Sequence, residues 1–321
     1  MRMMALGEAW IDGGGVCILA SAALPEALAE RVRGAPGFEV IPIEAPAWSG
    51  DDAQALIAIA HQFGAKAIAV DSYLADSAYL ATLEAQAPTA FIDDVARQAR
   101  YPCSLLVNQN LSAAPQLYLG RASGRVLLGP SFVMLRREFA ALRARVRTIA
   151  SQAHRLLVTF GGADPKNASA IALSALGMAR SIEATLLIGG ANPRAEQLLA
   201  MAGSMANITI VRDARDMAER IAAADMVLSA GGTTIWEAAA LGAPMMLVAT
   251  TPEEESAARY ITHDGGLYLG PIAQLGPRTL AASIEGFAQD LAARARSSVV
   301  GRALVDCAGA ERVAGALRSL I

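Results

Sequence analysis

The chain has 321 residues, of which 54% are hydrophobic and 18% are charged. Its net charge of −3 gives no sign of the basic surface that binds nucleic acid, and its length exceeds that of a usual single hydrophobic core, so we expect two domains. No apolar run reaches the roughly 18 residues of a membrane span, and the amino terminus lacks the pattern of a signal peptide. We therefore expect a cytoplasmic protein whose partners include neither nucleic acid nor a membrane.

The first twelve residues have the periodicity of an amphipathic helix that ends at Gly13. No strand precedes this helix, although a doubly wound domain normally opens with a strand in the middle of its sheet. We therefore expect the first strand of the amino-terminal domain to be missing, because of a misassigned gene start, a truncated chain or a degenerate protein.

Short apolar runs alternate with longer alanine-rich amphipathic segments along the rest of the chain. This alternation predicts α/β domains with parallel strands and crossover helices. Strands are predicted at 16–20, 39–43, 67–70, 89–92, 105–107, 126–128, 155–160, 184–188, 208–211, 226–229, 245–248 and 266–269. Helices are predicted at 24–33, 52–63, 77–86, 168–178, 194–201, 217–223, 234–241 and 253–264, and near the carboxyl terminus.

The domain boundary is predicted between Arg147 and His154, where a charged helix gives way to a buried strand. This divides the chain into an amino-terminal Rossmann-like domain, 1–150, and a carboxyl-terminal one, 151–321. Ligands of such folds bind beyond the carboxyl ends of the strands, so we expect the site in a cleft that the two domains face.

A glycine-rich turn after the strand predicted at 226–229 gives the strongest indication of a ligand. Gly231 and Gly232 let a ligand approach the backbone, and the helix that follows begins with unpaired amides that favour an anion. Thr233 and Thr234 add hydroxyl groups, and Glu237 can accept hydrogen bonds from a ribose. The pattern predicts a nucleotide diphosphate site, although similar turns also occur in α/β proteins that bind nothing there.

This stretch and the Ala-Leu-Gly-Ala-Pro after it resemble the donor-nucleotide motif of two-domain GT-B proteins that handle UDP-sugars. Over nearly its full length, the chain also resembles the UDP-2,4-diacetamido-2,4,6-trideoxy-β-L-altropyranose hydrolase family of pseudaminic acid biosynthesis. The segments that carry this resemblance are 70–73, 91–94, 107–110, 128–132, 135–139, 160–165 and the glycine turn.

The resemblance implies hydrolysis at the anomeric carbon without a metal or cofactor: water attacks C1, UDP leaves, and the configuration inverts. It implies roles for residues on several loops. Glu237 would bind the ribose, Gly232, Thr233 and Thr234 the diphosphate, Tyr73 would support catalysis near the sugar, and Gly161, Gly162 and Asp164 would lie on a loop that faces the cleft.

The chain departs from this family in its amino-terminal motif. The family opens with a strand and then Gly-x-Gly-His-x-x-Arg, whose histidine is the expected base, and that histidine is absent here. His61, His154 and His263 do not lie on a comparable strand-to-helix turn. We therefore expect the chain to bind UDP with little hydrolysis.

A second departure lies before the helix that follows the donor motif, where the family has Asn-Gln and this chain has Glu253, Glu254 and Glu255. Acidic residues at a helix amino terminus are stabilising in their own right. Extra carboxylates that face a diphosphate would instead repel it.

Several polar residues at strand ends could have either a ligand-binding or a structural role. Asp71 either faces the ligand or caps the next helix, and Asp94 is predicted to be a cap. Asn108, with Asn110, either binds an acetamido group or forms a turn. Trp236 is predicted to pack between helix and sheet.

We expect a UDP-sugar hydrolase that supplies pseudaminic acid for surface or flagellin glycosylation. The alternatives are a GT-B glycosyltransferase with a UDP-sugar donor and a non-catalytic nucleotide-sugar-binding protein that has lost its base. An upstream reading frame that encodes an apolar strand and Gly-x-Gly-His would favour the hydrolase. The sequence predicts neither the exact sugar nor the oligomeric state.

Overall fold

The computed structural model describes residues 1–22, 24–203, 205–263 and 265–321, and the side chains within these ranges except those of Ala27, Glu253 and Tyr260. The described residues form two compact units. The first unit comprises Met1–Arg137 and Cys307–Ile321, and the second comprises Glu138–Asp306.

Strands and helices alternate along both units, as the sequence predicts. The strands are β1 (Cys17–Ser21), β2 (Phe38–Pro42), β3 (Ile68–Asp71), β4 (Thr89–Ile92), β5 (Leu105–Asn108), β6 (Arg125–Leu128), β7 (Arg155–Thr159), β8 (Glu183–Ile188), β9 (Ile208–Arg212), β10 (Met226–Ala230), β11 (Met245–Ala249) and β12 (Leu267–Pro271). The helices are α1 (Arg2–Asp12), α2 (Glu26–Arg33), α3 (Gly50–Gln62), α4 (Ser77–Glu84), α5 (Arg137–Arg143), α6 (Ala168–Leu176), α7 (Ala195–Ala202), α8 (Met217–Ala223), α9 (Thr234–Ala240), α10 (Pro252–Thr262), α11 (Pro277–Gln289), α12 (Leu291–Leu304) and α13 (Gly309–Arg318).

The first unit contains two separate parallel sheets. Strands β1 and β2 pair with each other, and β3, β4, β5 and β6 form a second sheet in that order. Residues 2–12 are helical, as the sequence predicts. Side chains fix the starts of two later helices, since Ser49 accepts a hydrogen bond from the Asp52 amide (3.1 Å) and Asp76 one from the Tyr79 amide (2.8 Å).

The last helix, α13, packs into the first unit against α1. Apolar residues of both helices share one core with strands β4, β5 and β6. The buried residues of that core include Leu6, Ala9, Ile92, Val313 and Leu317. The chain therefore returns to its first unit at the end.

The predicted division into 1–150 and 151–321 differs from the structure in two ways. The boundary lies between Arg137 and Glu138, and residues 307–321 belong to the first unit. Arginines at the end of α5 and in the segment after it bond to other parts of the second unit. Arg143 donates to the Ala240 carbonyl (2.7 Å), and Arg147 donates to the carbonyls of Leu241 (3.1 Å) and Ala224 (2.7 Å).

The second unit has one parallel sheet with strand order β12-β11-β10-β7-β8-β9. Counted within the unit this is the order 6-5-4-1-2-3, which is the Rossmann arrangement. The order reverses between β7 and β10. Ligands of open α/β sheets bind at such a point, beyond the carboxyl ends of the strands.

The core of the second unit lies on both faces of this sheet. Strands β10 and β11 are buried along their whole length, as parallel strands covered by helices on both faces are. Arg294 is fully buried and donates to the carbonyls of Phe287 (3.0 Å), Ala150 (2.8 Å) and Ser151 (2.9 Å). In the described part of the chain, no helix is both long enough and apolar enough to cross a membrane.

Candidate functional site

Two glycine-rich loops meet at the switch point of the second unit. Strands β7 and β10 pair in register, with Val158 opposite Leu228 and Thr159 opposite Ser229. The loop that starts with Gly161 and the turn at 231–233 therefore leave the sheet side by side at its carboxyl edge. This adjacency, which strand pairing alone establishes, brings together two of the predicted ligand-binding segments.

Close packing explains why glycine occupies several of these positions. A Cβ on Gly231 would lie 2.5 Å from the Glu254 carbonyl oxygen, and a Cβ on Gly189 would lie 2.4 Å from the Gly162 Cα. Gly161 has a φ of +79°, in the region that favours glycine. Gly162 and Gly232 are themselves exposed at this edge, so a ligand can reach their backbone.

The turn after β10 continues directly into α9. The amides of Ile235 and Trp236 donate to the carbonyls of Gly232 (3.2 Å) and Thr233 (3.1 Å). Thr233 is exposed and Thr234 is half-buried. Trp236 is only 3% exposed, so it packs inside the unit as predicted.

Glu237 lies one helical position after Trp236 and is half-buried. Glu237 lies in α9, about one helical turn after Gly231 and Gly232, which we call the glycine pair. Its predicted contact with a ribose stays a prediction, as do the predicted ligand contacts of the glycine pair and the two threonines.

Asp164 shapes the loop after β7. It is 2% exposed, and its two carboxylate oxygens accept the amides of Ala168 (2.8 Å) and Ser169 (3.0 Å) at the start of α6. Asp164 therefore caps this helix and holds the loop in place. A ligand contact by Asp164, which sequence resemblance suggests, stays a prediction.

The carboxylate of Glu254 lies close to the glycine pair. Its Oε2 accepts hydrogen bonds from the Thr250 amide (2.8 Å) and the Thr250 hydroxyl (2.6 Å), and its Oε1 would lie 3.9 Å from a Cβ on Gly232. Glu254 thus stabilises the start of α10, and it also adds negative charge at the predicted diphosphate site. Glu255 instead pairs with Arg259 one turn later (2.8 Å), and the side chain of Glu253 lies outside the described residues.

A second polar cluster lies at the carboxyl edge of the four-stranded sheet in the first unit. The Arg2 guanidinium donates to both oxygens of Asp71 (2.8 and 2.7 Å) and to both oxygens of Asp94 (2.8 and 2.7 Å). Asp94 also accepts from the Tyr73 hydroxyl (2.8 Å) and the Asn110 side-chain amide (3.0 Å). The arginine and both carboxylates are mostly shielded from solvent.

The pKa values in this cluster follow from its contacts. Burial disfavours the charged form of Asp94, but hydrogen bonds and the charge of Arg2 outweigh this effect and lower the pKa of Asp94. Desolvation of the Tyr73 hydroxyl and the adjacent Asp94 carboxylate raise the pKa of Tyr73 to about 12. Tyr73 is therefore a protonated hydrogen-bond donor near neutral pH, on a side chain that is 70% exposed.

The structure changes the interpretation of two aspartates. Asp94 is an ion-pair partner of Arg2 and caps no helix, so its predicted role as a cap is wrong. The neighbouring Asp93 instead holds the turn through the amides of Val95 (3.2 Å) and Ala96 (3.0 Å). Asp71 also pairs with Arg2, and the cap of the next helix is Asp76.

Asn108 is buried within the first unit. Its side-chain amide donates to the Tyr118 hydroxyl (2.7 Å), and its carbonyl oxygen accepts from the Asn110 amide (3.0 Å). These contacts agree with the interpretation of Asn108 as a turn residue. The contact with an acetamido group stays a prediction.

The sequence did not indicate the partner of Asp71 and Asp94, because Arg2 lies more than sixty positions away. A charged residue at the start of a helix and aspartates at strand ends were the available signals. Each of His61, His154 and His263 lies away from the turns that follow the strands: in the last turn of α3, immediately before β7 and after α10. Among the described residues, no group of three or more His, Cys, Asp or Glu residues could hold a metal ion.

Comparison with known proteins gives one family match. Residues 155–299 match the Glycosyltransferase family 28 C-terminal domain, and they lie within the second unit. Over 200 residues, 61% of this chain, the sequence is 26% identical to the spore coat polysaccharide biosynthesis protein SpsG of Bacillus subtilis (strain 168). That alignment spans 59% of the length of SpsG.

Solved structures resemble the chain over nearly its whole length. The UDP-GlcNAc 2-epimerase from Neisseria meningitidis, solved with UDP-GlcNAc, superposes with a TM-score of 0.63 at 11% identity and covers 95% of this chain and 100% of its own. MurG from Acinetobacter baumannii superposes with a TM-score of 0.60 at 13% identity, with coverage of 95% and 99%. The chain therefore has a GT-B-like α/β fold with parallel sheets, and its second unit contains a region similar to the Glycosyltransferase family 28 C-terminal domain.

Proposed function

We propose that the chain is a UDP-sugar-processing enzyme of polysaccharide biosynthesis that binds the nucleotide in its second unit. The observation that carries this proposal is the family 28 match, because it includes both glycine-rich loops at the switch point of the sheet. The relative SpsG is named for polysaccharide biosynthesis, and the epimerase that shares the fold was solved with UDP-GlcNAc.

The turn at 231–234 would receive the diphosphate. Gly232 and Thr233 are exposed, and the turn stands beside the loop after β7 at the edge where such folds bind ligands. Glu237 would accept hydrogen bonds from the ribose hydroxyls. Glu254 opposes this arrangement, since its carboxylate lies beside the glycine pair and repels a bound phosphate.

The specific reaction that we propose for this enzyme is based on the sequence resemblance. It is the hydrolysis of a UDP-linked 2,4-diacetamido-trideoxy sugar at C1, which releases UDP and a sugar for pseudaminic acid biosynthesis. Such hydrolysis needs a general base for the attacking water. Asp71 and Asp94 are held by Arg2 in the first unit, and among the residues described there no histidine directly follows a strand, so we expect slow hydrolysis by this chain.

Glycosyl transfer is the second candidate, and the family 28 match favours it. A transferase moves the sugar to an acceptor hydroxyl, whereas a hydrolase moves it to water. Incubation with a panel of UDP-linked sugars, with and without acceptor saccharides, separates the two. UDP release without an acceptor supports hydrolysis, and release that depends on an acceptor supports transfer.

Nucleotide binding itself is tested by titration calorimetry with UDP. In the Glu237→Ala variant we expect binding to weaken by about 1–3 kcal/mol, roughly 5- to 150-fold, because charged hydrogen bonds to the ribose are lost. The matched control is Glu196→Ala, which removes a carboxylate of the same unit that is 81% exposed and pairs with Arg212. Equal affinity of the Glu237→Ala variant and the unaltered protein would contradict the assigned role.

A further inference from the structure

Two arginines of the second unit bind the carboxyl end of the helix that follows the glycine pair. Helix α9 begins just after the turn at 231–233 and ends at Ala240. The Arg143 guanidinium donates to the Ala240 carbonyl (2.7 Å), and the Arg147 guanidinium donates to the carbonyl of the next residue, Leu241 (3.1 Å). Carbonyls at the end of a helix lack partners within it, so these side chains supply the donors.

Arg147 also holds the segment that precedes β10. Its guanidinium donates to the Ala224 carbonyl (2.7 Å), two residues before β10, and to the carbonyls of Ile221 and Ala222 in α8. From Ala224 the chain runs through β10 to the glycine pair at the carboxyl edge of the sheet, and α9 then returns it to Leu241. One guanidinium therefore joins both ends of the segment that contains the proposed diphosphate turn.

The charge of Arg147 suits this position. In the described part of the chain, all hydrogen-bond partners of its side chain are main-chain carbonyls. Burial lowers the pKa of Arg147 to about 10, and the charge of Asp225 offsets only part of this effect. The guanidinium therefore stays charged near neutral pH, at helix ends that carry partial negative charge.

The two ends of α9 are held in different ways. The first turn buries the large side chains of Ile235 and Trp236. The last turn buries only the methyl groups of Ala238–Ala240, which make few contacts, although a Cβ on Gly301 of α12 would lie 3.0 Å from the Ala239 Cα. The arginine hydrogen bonds are directional and therefore fix the end that the alanines hold weakly.

Glu237 lies between these two ends of the helix. A tilt of α9 about its first turn would change the direction of the Glu237 side chain while the glycine pair stays in place. A helix of seven residues is about 10 Å long, so the arginines act from the end of α9 opposite the proposed diphosphate turn.

We propose that Arg143 and Arg147 are positioning residues of the nucleotide site, which hold the end of α9 and so direct Glu237 toward the ribose. This inference rests on the proposed function, because Glu237 meets a ligand only if the nucleotide binds at this edge. The arginines themselves do not contact the nucleotide.

The test compares Arg147→Met with Arg294→Met. Methionine keeps an apolar side chain and removes the guanidinium. Arg294 is the matched control, since it is another guanidinium of the second unit that donates to three main-chain carbonyls, none of them in α8 or α9. Arg143→Met, which leaves Arg147 in place, is a milder second variant and tests the inference even if Arg147→Met fails to fold.

Urea denaturation measures the stability of each variant, and calorimetry measures its affinity for UDP. We expect Arg147→Met to weaken UDP binding about tenfold and Arg143→Met about threefold, because the ribose contact is misaligned. Arg294→Met should change the affinity by less than about twofold, even where it lowers the stability as much as Arg147→Met does.

A second measurement introduces Glu237→Ala into the Arg147→Met variant. Residues that do not touch normally have additive effects on binding free energy. If Arg147 acts through Glu237, we expect Glu237→Ala to weaken binding by less than about threefold in this background, against roughly 5- to 150-fold in the unaltered protein. A merely structural role of Arg147 would leave the effect of Glu237→Ala unchanged.

The outcomes separate this inference from the proposed function. Equal losses of affinity in Arg147→Met and Arg294→Met, or independent effects of Arg147→Met and Glu237→Ala, would overturn the inference alone. Absence of UDP binding by the unaltered protein would overturn the proposed function and the inference together.

Discussion

Glu254 shows how one side chain can serve the fold and oppose a ligand. Its carboxylate binds the Thr250 amide and hydroxyl at the start of α10 and lies beside the glycine pair after β10. A helix start gains from a nearby negative charge, but a diphosphate at the same place is repelled by it. The residue therefore limits the affinity of the proposed site.

We expect Glu254→Gln to strengthen UDP binding about two- to tenfold, because the amide removes the negative charge and keeps an oxygen that accepts from Thr250. Calorimetry with UDP measures the change, and Glu255→Gln, one position later and paired with Arg259, is the control. Unchanged or weaker binding of the Glu254→Gln variant would place the diphosphate elsewhere.

In the first unit, a single guanidinium, that of Arg2, forms ion pairs with two carboxylates, those of Asp71 and Asp94. Without it, Asp71 and Asp94 would remain as like charges in a largely shielded place. We expect Arg2→Met to lower the free energy of unfolding by about 2–4 kcal/mol. Urea denaturation measures this, and the control Arg33→Met, whose exposed pair with Glu26 contributes little, should change it by less than about 1 kcal/mol.

The same cluster predicts a dependence on pH. The pKa of Asp94 is lowered in the folded state, so its contribution to stability is present above the unfolded pKa near 4 and is lost as the pH falls through the folded value. The free energy of unfolding should therefore decrease below about pH 4. In Arg2→Met this decrease should be smaller, and an identical slope in both proteins would contradict the assigned ion pair.

At the scale of elements, α13 has no room for a larger side chain at its first residue but has room for one further along the helix. A Cβ on Gly309 would lie 2.2 Å from the Val133 carbonyl oxygen, whereas a Cβ on Gly315 would meet nothing within 4 Å. The first glycine permits close contact with the turn at Pro130–Phe132, and the second only weakens the helix.

Alanine substitutions at these two positions should therefore have opposite effects. We expect Gly309→Ala to lower the Tm, because the backbone of residues 132 and 133 must shift to make room. Gly315→Ala should raise the free energy of unfolding by about 0.5–1 kcal/mol through its higher helix propensity. Thermal and urea denaturation of the two variants test the pair, and a loss of stability in both would show that α13 packs differently.

At the scale of the whole molecule, the two units are made from interleaved parts of the chain. Val313, Ala314 and Leu317 of α13 lie in the same core as Leu6 and Ala9 of α1. The last fifteen residues should therefore stabilise the amino-terminal part of the chain and leave the second unit unaffected.

A chain that stops after Asp306 tests this arrangement. We expect faster hydrogen exchange in α1 and β5, which lose their contact with α13, and unchanged exchange in β8 and β10 of the second unit. Faster exchange confined to the second unit would show that residues 307–321 belong there instead.

The sequence determined most of the elements and their type. Apolar runs bounded by turn residues predicted all twelve strands within about two residues at each end, and parallel pairing followed from the alternation with helices. The glycine turn at 231–232 and the burial of Trp236 could also be predicted from neighbouring residues in the sequence. These features are local because periodicity and turn chemistry act over a few neighbouring residues.

Tertiary structure alone decided which distant residues meet. It paired Arg2 with Asp71 and Asp94, placed Glu254 against Gly231, and returned α13 to the first unit. No local pattern encodes these contacts, since they depend on which strands become neighbours and on how helices far apart in the chain share one core.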